Sequence, residues 1–197
     1  RPVICSLMGS DVLVKAIERT IITVFRKFFW RVTIVKSKEM QKLVPRSKLI
    51  PNGVDMTNFR IIDMDEAIKK VGFDGSKINI LFVATLPDIP VKNLQLAQKA
   101  VRFLNNESRD NQYILHILSD VDFKDLPYYY NAANMLVLTS LSEGSPNVIK
   151  EAMACNCPIV ATDVGDISEF TLDVSACNIV KHETEDVVKA IKDVVLY

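Results

Sequence analysis

The chain has 197 residues, with 24 basic and 24 acidic side chains and 49% hydrophobic residues, enough for one well-buried core and part of a second. Zero formal net charge argues against a nucleic-acid binder driven by bulk electrostatics, and no apolar run reaches the roughly 20 residues of a bilayer span. The four cysteines, at 5, 155, 157 and 177, form no C-x-x-C pair, which disfavours a structural zinc site and suits buried thiols in a reducing compartment.

Arg1-Pro2 runs straight into a strand expected near Val3–Leu7, a start that looks like a cut through a larger protein and unlike a signal peptide. Gly9-Ser10-Asp11 follows, then a helix expected near Val12–Phe29. Between positions 14 and 31, Lys15, Arg19, Arg26, Lys27 and Arg31 stand against Ile17, Ile21, Phe25, Phe28, Phe29 and Trp30. The favoured reading is a helix packed on a sheet, its cations covering the apolar rim; the alternative is contact with a membrane surface. Strands near Val32–Val35 and Lys48–Ile50 flank a helix near Ser37–Leu43. The run Leu49-Ile50-Pro51-Asn52-Gly53-Val54-Asp55 then joins a strand end to an Asn-Gly turn. We place a domain boundary near Val44–Arg46, giving a β-α-β-α piece over 1–45 and a nearly complete α/β domain over 46–197.

In the second part, strands are expected near Ile78–Ala84, Tyr113–Leu118, Met135–Thr139, Pro158–Ala161 and Cys177–Val180. Helices are expected near Asp65–Val71, Asn93–Asn105, Pro127–Ala133, Asn147–Ala154 and Glu185–Leu196. Continuous apolar runs such as Ile78–Val83 suit a parallel sheet buried on both faces. Their alternation with helices predicts a Rossmann-like, doubly wound α/β fold. No G-x-G-x-x-G or P-loop occurs among the six glycines, which weakens a dinucleotide-binding oxidoreductase. Asp63-Met64-Asp65 and Asp120-Val121-Asp122 read as a helix start and a turn before they read as metal sites. His116 lies in an apolar strand pattern and reads as a core histidine, and His182 as a surface one.

The segment Thr139 to Ala154 carries the chemistry. A buried strand ends at Thr139, a loop holding Glu143 and Gly144 follows, Ser145 is a good N-cap and Pro146 suits the first helical position. Strand C-termini are where open α/β sheets bind ligands, and the unpaired amides around Ser145, Pro146 and Asn147 suit a pyrophosphate or sugar hydroxyls. Gly144 would let a ligand approach the backbone closely. Glu143, in the loop, can face a sugar, and Glu151, on the helix, can accept hydrogen bonds from a ribose.

Glu143 and Glu151, with seven residues between them, resemble the paired-glutamate motif of the family-4 glycosyltransferases of GT-B architecture. Tyr130 to Leu138 is similar to that family's helix and strand before the motif, Pro158 to Gly165 to the strand and loop after it, Leu49 to Asp55 to the approach to its C-terminal domain, and Gly9-Ser10-Asp11 to a His-Gly-Ser-Asp stretch of its N-terminal domain. The resemblance implies a C-terminal donor-binding domain preceded by a remnant of the N-terminal one. It also implies retaining transfer of a sugar from a UDP-, GDP- or ADP-linked donor to a polysaccharide, lipid-linked glycan or similar acceptor, with no metal and no cofactor.

The same resemblance gives Lys92 and Thr85 to the diphosphate, with Thr85 where the family has arginine and Ala84 where it has glycine. Met8 stands for the expected histidine, and the short run from Leu118 to Lys124 implies a sheet one strand smaller. Gly9, Asn52 and Gly53 are possible cleft residues. The resemblance implies a cytoplasmic enzyme, peripheral at the inner membrane face if residues 14–31 bind lipid, and inactive alone if its N-terminal half is required. The competing readings are a non-catalytic nucleotide-sugar-binding module and an epimerase-like protein.

Overall fold

The computed structural model describes residues 2–9, 16–108 and 112–196, with the side chains of 16–19 left out. Ser10, Asp11, Lys15 and the start of the helix expected at Val12 lie outside the described residues, as do the side chains of Ile17 and Arg19. The chain forms two compact units, one of residues 1–53, 142–147 and 164–172, the other of residues 54–141, 148–163 and 173–197.

The first unit is built on a parallel sheet in sequential order, β1 (Val3–Ser6), β2 (Trp30–Val35) and β3 (Lys48–Leu49), with α1 (Ala16–Phe28) and α2 (Lys38–Leu43) as crossovers. The Ser37 hydroxyl caps α2 by accepting from the Met40 N–H at 3.3 Å. Leu7, Ile22, Val35, Met40 and Val44 form its core. Leu49 of β3 sits opposite Val35 of β2, so the sheet carries this unit on to Gly53, past the boundary expected after residue 45. The third segment of the unit holds α7 (Ile167–Thr171).

The second unit is a five-stranded parallel sheet, β4 (Ile78–Val83), β5 (Tyr113–Leu118), β6 (Met135–Leu138), β7 (Ile159–Thr162) and β8 (Cys177–Val180), in the order β5-β4-β6-β7-β8. Its helices are α3 (Met64–Val71), α4 (Leu94–Glu107), α5 (Leu126–Ala132), most of α6 (Asn147–Ala154) and α8 (Thr184–Val195). Every residue of β6 and β7 is buried, which is why those segments read as unbroken apolar runs. Ile80, Phe82, Ala97, Ala100, Leu104, Val137 and Ile191 knit the sheet to α4 and α8. The Asp63 side chain caps α3 through the Glu66 N–H, and Gly72, at φ 75°, ends it in the left-handed conformation.

The strand order contains one reversal. From β4 the chain steps outward to β5 and then returns to place β6 on the other flank of β4. In an open α/β sheet this reversal leaves a crevice at the strand C-termini, where ligands bind.

Candidate functional site

Two loops lead out of that reversal, one after β4 and one after β6. Thr85 is exposed just beyond β4, and the chain then makes a short 3-10 turn, Pro90–Lys92, before α4. The sequence reading began this helix at Asn93. Instead Asn93 takes a left-handed φ of 49° and leaves the half-buried Lys92 on the turn before it. Two bonds fasten this turn to the end of β6: the Leu141 N–H donates to the Val91 carbonyl at 2.8 Å, and the buried Thr139 hydroxyl donates to the Asn93 carbonyl at 2.9 Å.

The carbonyl of Ser140 is held from β7 and from the segment just beyond β8. It accepts from the Thr162 hydroxyl at 2.7 Å and from Nε2 of His182 at 2.9 Å, which must be the protonated ring nitrogen because a carbonyl only accepts. His182 is exposed, as expected of a surface histidine, yet it braces the exit from β6. Its position just beyond β8, at the same sheet edge, was the signal that could have marked it.

Glu151 lies little more than one turn into α6 and is only 9% exposed. The fully buried Tyr130 of α5 donates its hydroxyl to Oε2 of Glu151 at 2.8 Å. Burial pushes the Glu151 carboxyl above its ordinary range, with the Tyr130 bond pulling the other way, and burial beside that carboxylate pushes the phenol well up. The sequence reading placed Tyr130 in the helix before the motif but gave it no role in the site.

The remaining residues of the motif belong to the first unit. Glu143 is half-buried, and Gly144, Ser145 and Pro146 are buried. Gly144 was expected to admit a ligand, but a Cβ there would stand 2.7 Å from the Met8 carbonyl and 3.2 Å from the Gly9 Cα, so the protein's own backbone fills that side. Gly165, at φ 68°, repeats the device: its Cβ would meet the carbonyls of Gly144 at 2.9 Å and Glu143 at 3.0 Å. Ser145 was expected as the N-cap with Pro146 as the first helical residue. The helix begins instead at the exposed Asn147, and the Ser145 hydroxyl donates to Oδ2 of the buried Asp166 at 2.6 Å. Gly9 is buried at φ 138°, Asn52 is half-buried and Gly53 exposed.

Among the described residues there is no group of three or more His, Cys, Asp or Glu that could hold a metal, and no helix long and apolar enough to cross a membrane. Asp122 closes its own turn by accepting the Lys124 N–H. His116 is half-buried, bonded to the Asn79 amide at 2.8 Å and stacked on Phe73 at 3.6 Å, so it serves the sheet.

Residues 109–196 match the family model described as "Glycosyl transferases group 1". An uncharacterized glycosyltransferase of Methanocaldococcus jannaschii is 25% identical over 192 residues, covering 87% of this chain and 52% of that protein. A D-inositol 3-phosphate glycosyltransferase of Pseudarthrobacter chlorophenolicus is 27% identical over 150 residues, covering 62% of this chain and 35% of the relative. The HepE protein of Anabaena, solved in complex with UDP and glucose, superposes with a TM-score of 0.78 at 17% identity, over 99% of this chain and 62% of that one. The chain thus spans about half the length of the first of these relatives and about a third of the second. Its fold is parallel-sheet and Rossmann-like, as in the HepE structure, and the relatives its sequence resembles are glycosyltransferases.

Proposed function

We propose that this chain supplies the nucleotide-sugar-binding part of a retaining, metal-independent glycosyltransferase that passes a hexosyl group from a UDP-, GDP- or ADP-linked donor to a polysaccharide, a lipid-linked glycan or a similar acceptor. The observation that carries the reading is the strand reversal at β4 and β6. It brings the turn holding Lys92 and the end of β6 to one sheet edge, in the same unit as a buried carboxylate, Glu151. Glu151 accepts from the ribose through Oε1, since Tyr130 occupies Oε2. Lys92, in the same unit, meets the diphosphate.

In glycosyl transfer the anomeric carbon passes through an oxocarbenium-like state while negative charge grows on the departing diphosphate. Preorganised cations and amide donors stabilise that charge. In this reading the cation is Lys92, and the reaction uses no protein nucleophile. Thr85 adds a hydroxyl but no charge where the resemblance implies an arginine, which favours one competing reading, a module that binds donors without turning them over.

Titration calorimetry with UDP, GDP and ADP, and with sugar nucleotides of each, tests the proposal. At least one nucleotide should bind, and Glu151→Ala should weaken it about 10- to 100-fold, the loss of a charged hydrogen bond. Absence of binding to all of them would remove the reading. Binding with little or no transfer is expected of this chain alone, and robust transfer by it would refute the need for an N-terminal half.

A further inference from the structure

A carboxylate on a helix can rotate about its own bonds, and a buried one rarely stays in place unless something holds it. Among the described residues, the side chain that holds Glu151 is Tyr130, whose hydroxyl lies 2.8 Å from Oε2. Tyr130 is itself fixed: it is fully buried on α5, and its ring packs edge-on against Phe59 at 6.0 Å, which in turn packs edge-on against Phe123 at 5.2 Å. A buried phenol needs a hydrogen-bond partner, so the two groups constrain each other. All four residues lie in the second unit.

We propose that Tyr130 is a positioning residue for donor recognition. It ties down one oxygen of Glu151 and aims the other at the ribose, so that the pair reads the ribose hydroxyls of the nucleotide. This rests on the assignment of Glu151 to the ribose made above and extends it to a specificity. The site should discriminate a ribonucleotide from the same nucleotide lacking its 2′ and 3′ hydroxyls, and the discrimination should need Tyr130 even though Tyr130 does not touch the ligand.

The experiment measures, by calorimetry on the full chain, the tightest binder among UDP, GDP and ADP against its 2′,3′-dideoxy counterpart. In the native chain the ribonucleotide should bind at least about ten-fold more tightly, as expected where a charged hydrogen bond is made. Tyr130→Phe, which keeps the ring, should collapse that ratio to within about three-fold by weakening the ribonucleotide while leaving the dideoxy form unchanged. Phe59→Leu loosens the same cluster without touching the hydrogen bond, and should lower the melting temperature and preserve the ratio. Should Tyr130→Phe fail to fold, Glu151→Gln carries the test, because it keeps a partner for the phenol and should still lose the ratio. A native ratio near one, a full ratio surviving in Tyr130→Phe, or equal weakening of both nucleotides in that variant would each overturn the proposal. Failure of all three nucleotides to bind the native chain would instead remove the donor-site reading beneath it.

Discussion

Glu151, proposed above to meet the ribose, is a carboxylate whose burial works against stability. Its carboxyl is pushed above the ordinary carboxylate range by burial, so the fold favours the neutral form. A group shifted in that direction contributes stability that is fully present below its unfolded pKa and is lost as pH rises through the folded one. Glu151→Gln removes that titration. Thermal melts should therefore show the variant gaining on the native chain as pH rises above the ordinary carboxylate range, while its donor affinity falls. A variant whose melting temperature tracked the native one at every pH would mean the burial carries no such cost. The sequence put Glu151 on a helix with a neighbouring strand end, but it could not show Tyr130 beside it, because the two are 21 positions apart and meet only through the packing of α5 and α6. Gly144 was legible as a close-approach glycine, and what approaches it, the Met8 carbonyl, was not.

At the scale of the element, the central strands β4, β6 and β7 were legible because each is a short apolar run, and burial on both faces leaves no alternation to confuse the reading. α7 was missed because five residues hold too little of a 3.6-residue period to register. α1 is the element whose sequence left two environments open. Among Thr20–Phe28 only Ile22 is buried, while Ile21, Val24, Phe25 and Phe28, with Phe29 just beyond, are exposed. Phe25 packs against both Phe29 and Trp30. Trp30 also lines a cleft of about 400 Å³ together with Arg26, Lys27, Arg31, Arg46 and Lys48, and with no acidic residue. Aromatic rings beside cations are what an anionic interface takes. The chain is expected to sediment with vesicles containing anionic lipid and not with neutral ones, to be released by about 0.5 M salt, and to lose retention in Phe25→Ser/Phe28→Ser. Equal retention on neutral vesicles, or none on anionic ones, would return α1 to the sheet-packing reading.

For the whole molecule, the chain path matters more than the two sheets. It completes the first sheet by Gly53, then leaves the second unit twice, for residues 142–147 and 164–172, to finish the first. A boundary read from sequence alone assumes one crossing, which is why a single cut near residue 45 looked sufficient. What holds the two returning segments comes largely from residues 1–53: the Met8 carbonyl and Gly9 Cα against Gly144, the Met40 sulfur on the same side, and Lys38 in a 3.0 Å ion pair with Glu169. The exposed ion pair itself contributes little, since such pairs are worth about 0–1 kcal/mol; the backbone packing at Gly144 and Gly165 is the larger constraint. A chain of residues 54–197 keeps the whole five-stranded sheet with Lys92, Tyr130 and Glu151, but leaves both segments without these partners. Limited digestion with a glutamate-specific protease, read by mass spectrometry, should then cut at Glu143 and Glu169 well before the helices of the second unit, while the full chain resists at both. Equal resistance in the two chains would mean that the loop carrying Glu143 is ordered by its own sequence, and that residues 1–53 are not needed to present it.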